Sequence, residues 1–386
     1  MPRRDGRASI SSRRLGAAVG VLLILGLAAW LRYERMLVAE YHEQDPDVTS
    51  YTEEAKRADR FYHISVFEPL FIVVTKGTLL TIGERSHYKN MRVQSIGFGL
   101  LAIVLTYLIG VRLSGRLVGL GAAFLMATNE LLVFNDQRGL KEQLYISLML
   151  LLTYVLFLRR ELPMWSRYAL AGVVAGAMVL VRITGLQIYV MMLVMALLVD
   201  RGRWSDRLRW AAVSVGLVGL IIGPYLYGCA RVFGDPLISI NWHASYWRNA
   251  EFGGLPGFPS KAQLAVDMHA GPPISAFDYA FRLHSPREVA ARYLLGYRMA
   301  VGDFLIEHGG GWPYLVFGAV GLAWLAARGD WPFAVLPLVA VFPVVFTVPV
   351  GSSETRFVIP ILPFFVLAVA RGLVGLAGVA RALAMS

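Results

Sequence analysis

The sequence predicts an all-α protein embedded in a membrane through about ten transmembrane helices. Of its residues, 56% are apolar and 16% are charged, and the mean hydropathy is +0.56, which excludes an ordinary soluble domain. Several runs of about 18 or more mostly apolar residues match the length that a helix needs to cross a bilayer. These runs lack the alternating pattern of a membrane β-barrel, so their backbone groups must be satisfied within helices.

The formal net charge of +11 would suggest a nucleic-acid partner in a soluble protein. Here the lysines and arginines stand mostly in short loops between apolar runs, as expected if they set the orientation in the membrane. We therefore expect no nucleic-acid partner. Cys229 is the only cysteine, so no internal disulfide is possible.

The first apolar run, residues 15–31, follows an arginine-rich segment. This arrangement is similar to a signal peptide, but residues 30–33 lack the small side chains of a cleavage site. We expect an uncleaved first span with its basic end in the cytoplasm.

The apolar stretch 65–83 decides the topology. If it crossed the membrane, the arginines of the loops 112–116, 159–167 and 201–209 would all lie outside. The positive-inside rule therefore favours an interfacial or re-entrant helix, and Glu68 and Lys76 make a span less favourable.

Further spans are expected at residues 93–111, 117–134, 143–158, 168–186, 187–200, 210–228, 312–327, 332–350 and 356–376. Residues 1–386 then form one integral membrane domain with both termini in the cytoplasm. Outside lie a first loop with interfacial helices, residues 32–92, and a long segment, residues 229–311. A capping box at residues 285–288 predicts a helix over about 286–307 in that segment.

An acidic stretch, residues 42–51, directly follows the first span, and further charges fall at the same outer level of this topology. They are Asp45, Asp47, Glu68, Asp136, Arg138, Lys141, Glu142, Arg182 and Arg356. Ionisable groups at the edge of a helical membrane bundle are costly and commonly functional. A mixed cluster suits a substrate with a phosphate to be clamped by arginine and a hydroxyl to be deprotonated by a carboxylate.

Structural interpretations compete with each of these roles. Asp47 could cap a helix that begins near Thr49, and Glu142 could stand in a solvated turn at the positive end of a helix. Arg182 could extend its head group to the interface. Arg356 could form a surface pair with Glu354.

Aromatic residues of the long segment, Trp242 and His243 among them, offer flat faces for a sugar ring, although an interfacial aromatic belt explains them as well. No pair of histidines has a convincing metal spacing, so no metal ligand is assigned. There is no phosphate-binding loop and no dinucleotide fingerprint, so nucleotide-driven chemistry is not expected.

Taken in order, these pieces resemble the GT-C superfamily of polyprenyl-phosphate-sugar glycosyltransferases, in the branch of protein O-mannosyltransferases and lipid A aminoarabinose transferases. The motifs that carry the resemblance are DVTSY (47–51), EPLF (68–71), RLSGR (112–116), GLKEQLY (139–145), RITGL (182–186) and RFVIPILP (356–363). Together they cover most of residues 15–375, although residues 229–311 match nothing in the family.

The resemblance implies an inverting transferase in which Asp47 is the base and Glu142 supports it. Because Pro46 separates Asp45 from Asp47, which of these two acids acts stays open. The resemblance also implies that Arg182 and Arg356 approach the donor phosphate. We add Arg138 and Lys141 to the phosphate-binding set, and Glu68, Tyr51, Trp242 and His243 as sugar- or acceptor-binding residues.

The expected partners are a polyprenyl-phosphate sugar, the bilayer, and an acceptor that is a protein, a lipid or a polysaccharide. The active site would face the extracytoplasmic side of the plasma or inner membrane. No cofactor is assigned, and a divalent cation at the phosphate stays open. Two other functions remain: a ligase with a lipid-pyrophosphate donor that uses Arg248 and His243, and a lipid or sugar transporter or flippase.

Overall fold

The computed structural model describes residues 5–38, 46–83, 87–350 and 355–385, and these contain helices but no strand. The α-helices are α1 Asp5–Val38, α2 Pro46–Arg57, α3 Pro69–Ile82, α4 His87–Ser114, α5 Arg116–Thr128, α6 Glu130–Asp136, α7 Glu142–Thr153, α8 Met164–Val179, α9 Gly185–Val199, α10 Trp204–Phe233, α11 Ile238–Phe252, α12 Lys261–Val266, α13 Ala276–Phe281, α14 Pro286–Tyr297, α15 Phe304–His308, α16 Trp312–Ala327, α17 Trp331–Val345 and α18 Leu362–Met385. π-Helical turns at Tyr154–Leu158 and Arg298–Asp303 extend α7 and join α14 to α15. Three short 3₁₀ helices, Val348–Val350, Thr355–Phe357 and Ile359–Ile361, lead from α17 into α18. The all-α prediction is confirmed.

Four described helices are long and apolar enough to cross a membrane: Leu15–Leu37 within α1, Lys89–Ser114 within α4, α10, and Ile359–Met385 at the end of the chain. The pair α5 and α6, bent by 62° at Asn129, would make a fifth if it is one span. Each of the other predicted spans coincides with a shorter helix of the same bundle. The count of about ten spans therefore stays a prediction.

Helix α3 occupies the stretch for which the sequence favours an interfacial or re-entrant helix. It has 14 residues, begins with a proline at its first position and is followed by Gly83 as its C-cap. At 1.5 Å per residue it rises about 21 Å, short of a hydrocarbon core of about 30 Å. Its length agrees with an element that does not cross, but α9 and α17, predicted to span, have only 15 residues each, so length alone does not distinguish α3 from them.

The tightest packing in the bundle joins α16 to α18, which run in the same direction, with glycines at the contact. A Cβ atom on Gly321 would lie 1.8 Å from the Ala368 carbonyl oxygen, and one on Gly372 would lie 2.1 Å from the Phe317 carbonyl oxygen. Small residues let two membrane helices approach until their backbones touch. The two backbones at this contact leave no room for even a methyl group.

We expect Gly321→Ala to destabilise the protein by about 2 kcal/mol, because the two helices must move apart to admit the methyl group. The matched control is Gly378→Ala on α18, where a Cβ atom meets nothing within 4 Å. That change should be neutral or slightly stabilising, since alanine favours a helix over glycine. Thermal unfolding of the purified variants in detergent measures both, and equal midpoints would contradict the packing argument.

The interior also holds a buried ion pair. Arg32 of α1 donates from Nε to Asp136 at the end of α6, and from Nη1 to the carbonyl oxygens of Ala28 and Ala127. Both side chains are 1% exposed. The sequence placed Asp136 in the outer charged cluster, but its partner is Arg32, which ties α1 to the end of α6 and, through Ala127, to the end of α5.

Candidate active site

Six segments distant in sequence converge at one end of the bundle. They are the first turn of α2, the residue before α3, the start of α7, the turn between α8 and α9, the 3₁₀ helix Thr355–Phe357, and α11. Most of the acids and bases singled out from the sequence lie in these segments. Six of these side chains form what we call the charged cluster: Asp47, Glu68, Lys141, Glu142, Arg182 and Arg356.

Asp47 pairs directly with Arg356. The distance from Arg356 Nη1 to Asp47 Oδ2 is 2.5 Å, and the side chains are 13% and 34% exposed, respectively. Helix α2 begins at Pro46, so Asp47 lies inside its first turn, and the interpretation of Asp47 as a cap for a helix starting near Thr49 is wrong. In the first turn a carboxylate is favoured by the positive end of the helix. Asp45 and Glu354 lie outside the described residues.

Glu142 and Arg182 form a second, looser pair. Arg182 Nη1 is 3.9 Å from Glu142 Oε1, and the Glu142 side chain is 4% exposed. The solvated-turn interpretation of Glu142 is therefore wrong. Its other oxygen, Oε2, accepts no hydrogen bond from the residues that the structure describes. A buried carboxylate oxygen without a donor is costly to keep, so this atom is available to a substrate group or a water molecule.

Phe357 supports both arginines of the cluster. The guanidinium of Arg182 lies 4.6 Å from the centre of its ring, and that of Arg356 lies 5.1 Å away. Tyr145 adds a further aromatic face, 5.8 Å from Arg182. Sequence reasoning gave neither ring a role. The position of Phe357 directly after Arg356 was the only signal, and it could not reveal the contact with Arg182.

Glu68 lies within the charged cluster and bonds to two other segments of the chain. Its Oε2 atom is 2.7 Å from Lys141 Nζ, and its Oε1 atom accepts the Ile183 N–H at 2.9 Å. Burial alone would raise the pKa of the Glu68 carboxyl, but Lys141 and the Ile183 N–H favour the charged form and hold the pKa below its usual value. Both oxygens already have protein partners, which favours a positioning role over sugar contact.

Tyr51 is packed beneath the cluster. Its ring meets those of Phe67 and Phe71 edge to face, with centroids 5.0 Å apart in each case, and it is 3% exposed. Burial, reinforced by the negative charges of Asp47 and Glu142, raises the pKa of its hydroxyl well above the usual value. The phenol therefore stays neutral.

Helix α11 brings His243 to the cluster. Burial, with Lys141 nearby, lowers the pKa of His243 to about 4, so the imidazole is neutral at pH 7. By surface area the His243 residue is nonetheless exposed, so it lies at the surface of this crowded region and not in a packed core. Trp242 is 42% exposed and stacks on His269 with ring centres 3.9 Å apart, which covers one of its two faces.

Two candidate cations have other contacts. Arg138 lies over the ring of Phe134, 5.8 Å from its centre. Arg248, required by the ligase hypothesis, donates to the carbonyl oxygens of Ala270 and Pro272 and to Asn249. These bonds tie the loop after α12 to α11, which is a structural task. Within the described chain, no three acidic, histidine or cysteine side chains form a group that could hold a metal ion, and we assign no residue to one.

The fold resembles solved structures of an archaeal enzyme. The oligosaccharyltransferase AglB from Archaeoglobus fulgidus, in complex with an inhibitory peptide and a dolichol-phosphate, aligns with a TM-score of 0.58 at 13% identity, covering 96% of this chain and 52% of that one. The apo form of the A. fulgidus oligosaccharyltransferase gives a TM-score of 0.57 at 14% identity, covering 94% and 51%. This chain thus spans about half the length of those proteins. The likeness supports the GT-C-like fold.

A match to a protein-family model indicates the class of protein more specifically than the fold does. Residues 70–227 match the model of dolichyl-phosphate-mannose-protein mannosyltransferases. No curated protein matches the chain by sequence. The matched stretch contains Lys141, Glu142 and Arg182, whereas Asp47 and Arg356 lie outside it. Fold and family match together support a membrane glycosyltransferase of the GT-C superfamily.

Proposed function

We propose that the protein is an inverting glycosyltransferase that moves a sugar from a polyprenyl-phosphate donor to an acceptor on the extracytoplasmic side of the membrane. The observation that supports this most is the direct pair between Asp47 and Arg356, beside the pair between Glu142 and Arg182. A general base and two guanidinium groups are the minimum for activating an acceptor and stabilising a phosphate leaving group.

In this reaction the acceptor's nucleophilic atom attacks the anomeric carbon as the bond from that carbon to the phosphate oxygen breaks. The acceptor's proton passes to Asp47, and the polyprenyl phosphate leaves as an anion. The leaving group needs no acid, because arginine stabilises its charge through charge-assisted hydrogen bonds. Positive charge develops at the anomeric carbon in the transition state, and Glu142 Oε2 is the carboxylate oxygen left to bind the sugar or orient the acceptor.

Arg356 has two competing anions in this mechanism. Without substrate it binds Asp47, so the guanidinium occupies the carboxylate oxygen that would accept the acceptor's proton. A donor phosphate that draws the guanidinium to itself would release the carboxylate. Binding of the donor would then make the Asp47 carboxylate available to the acceptor.

The orientation of the site follows from charge. The arginines of the loops after α4, α7 and α9 stand at the other end of the bundle from the charged cluster. If those loops lie in the cytoplasm, as the positive-inside rule expects, the cluster faces outward. Reaction with a membrane-impermeant reagent at single cysteines introduced at Asp59 and Arg203, in a Cys229→Ser background, would test this in intact cells.

The experiment that tests the activity is incubation of the purified protein with a panel of polyprenyl-phosphate sugars, followed by mass spectrometry. Release of polyprenyl phosphate that depends on the protein and on an added acceptor extract is expected. Turnover of lipid-pyrophosphate donors alone would contradict the proposal and favour a ligase.

We expect Arg182→Ala to lower kcat/KM for the donor by about 10- to 100-fold, the size of a lost charge-assisted hydrogen bond. Arg182→Lys should recover part of the loss, because it keeps the charge without the planar fork. Steady-state kinetics over a range of donor concentrations measures both. The matched control is Arg231→Ala, an exposed arginine that also lies over a tyrosine ring. An unchanged kcat/KM in Arg182→Ala would remove this residue from the phosphate site.

A further inference from the structure

A second arginine site lies at the end of the bundle opposite the charged cluster. Arg371 of α18 is 7% exposed, and its guanidinium lies 4.5 Å from the centre of the Trp324 ring of α16. Arg328, one residue beyond the end of α16, lies over the same ring at 5.6 Å and is exposed. Two guanidinium groups therefore share one indole. We call these three residues the α16–α18 arginine site.

Arg371 differs from the other buried arginines in its partners. Arg32 pairs with Asp136, Arg167 with Asp200, and Arg182 with Glu142. Arg248 donates to backbone carbonyl oxygens. In the described part of the chain, no carboxylate lies within 4 Å of Arg371, and its buried Nε atom donates to no acceptor.

A buried guanidinium without an anion is an unstable arrangement in a membrane protein. The indole face offsets part of the cost of desolvation. Arg328, which shares that face, adds a like charge. Asp330 interacts with Arg328 and Arg160, which leaves Arg371 as the cation that a bound anion would balance.

The surroundings indicate what kind of anion fits. Arg371 is nine residues into α18, about 14 Å along its axis, and Trp324 stands one turn before the end of α16. The α18 surface beyond Arg371 exposes Leu373, Leu376 and Val379, as expected for a lipid-facing helix. An anion that reaches this depth beside apolar side chains would be the phosphate of a membrane lipid.

We propose that the α16–α18 arginine site binds the phosphate of an anionic phospholipid in the leaflet opposite the charged cluster. The planar fork of Arg371 supplies parallel N–H donors to the phosphate oxygens. Trp324 holds that fork in place, and Arg328 attracts the lipid from the membrane surface. The lipid acyl chains would lie along the exposed apolar face of α18.

The test uses the full-length protein in nanodiscs of equal parts phosphatidylglycerol and phosphatidylcholine. Retained lipid is counted by native mass spectrometry after transfer to mild detergent. The native chain should retain phosphatidylglycerol preferentially, and Arg371→Met, which keeps the apolar volume, should reduce that preference about fivefold. The matched control is Arg381→Met, an exposed arginine further along the same helix, which should leave the preference unchanged.

Two further variants distinguish a loss of lipid binding from a folding defect caused by Arg371→Met. Arg371→Lys keeps the charge and should retain most of the preference, and Arg328→Met changes an exposed side chain and should reduce it in part. An unchanged preference in Arg371→Met, or no preference in the native chain, would overturn the proposal. A second measurement compares thermal unfolding midpoints in nanodiscs. If inorganic phosphate added to pure phosphatidylcholine nanodiscs stabilises the protein as much as phosphatidylglycerol does, the ligand is a small anion and the proposal is overturned.

Discussion

Asp47→Asn is expected to lower the rate of sugar transfer by about 10²- to 10⁴-fold, the range by which a general base accelerates a reaction. The amide has the shape of the carboxylate but cannot take the acceptor's proton. It can still accept a hydrogen bond from Arg356, so the contact between α2 and the Thr355–Phe357 segment should survive. The loss should therefore fall on kcat, with the thermal unfolding midpoint nearly unchanged.

The measurement is the rate of release of polyprenyl phosphate at saturating donor. Glu53→Gln is the matched control, because it removes a carboxylate from the exposed face of the same helix, where the side chain is 60% exposed. Asp45→Asn decides between the two acids of the first loop. If Asp47→Asn is fully active and Asp45→Asn is not, the base has been assigned to the wrong residue.

Arg32→Met is expected to destabilise the protein by about 3 kcal/mol, because it leaves the Asp136 carboxylate buried without its cation. It also removes the donor to the Ala28 and Ala127 carbonyl oxygens. Among the substitutions considered, this one should have the largest effect on folding. It should lower activity only in proportion to the fraction of protein that remains folded.

Thermal unfolding in detergent, followed by tryptophan fluorescence, measures the effect. The double variant Arg32→Met/Asp136→Ala should be more stable than Arg32→Met alone, because no uncompensated carboxylate remains. Arg57→Ala, which breaks exposed pairs with Glu53 and Glu54, should change the midpoint little. If Arg32→Met and Arg57→Ala unfold at the same temperature, the buried pair does not stabilise the bundle.

Much of the fold could be predicted because membrane helices are encoded locally. A run of apolar residues long enough to cross the bilayer is visible in a short window, and the helices α4, α7, α8, α9, α10, α16, α17 and α18 all lie where such runs occur. The helix expected at 286–307 is present as α14, a π-helical turn and α15. The bend at Asn129, which divides α5 from α6, coincides with the polar residues Asn129 and Glu130, but the prediction of one span over 117–134 did not use them.

The candidate site was only partly visible in the sequence. Its charged residues could be found because acids and arginines are rare in so apolar a chain. The predicted order of spans also places the loops that carry them on the same side of the membrane. Their partners could not be found. Asp47 and Arg356 are 309 positions apart, and nothing in either neighbourhood specifies the other. Asp136 and Arg32 show the same difficulty, since two charges near one membrane level gave no sign that they are buried against each other.

By itself, the sequence determined that this chain is a helical membrane protein whose ionisable residues lie mostly in the loops between helices. Apolar runs and charged loops can be recognised from short stretches of sequence. Only the tertiary structure decided which charges meet: Asp47 with Arg356, Glu142 with Arg182, Glu68 with Lys141, and Arg371 with the face of Trp324. These contacts depend on how helices distant in sequence pack against one another. Packing of that kind is set by the shapes of whole helix surfaces, such as the glycine contact between α16 and α18.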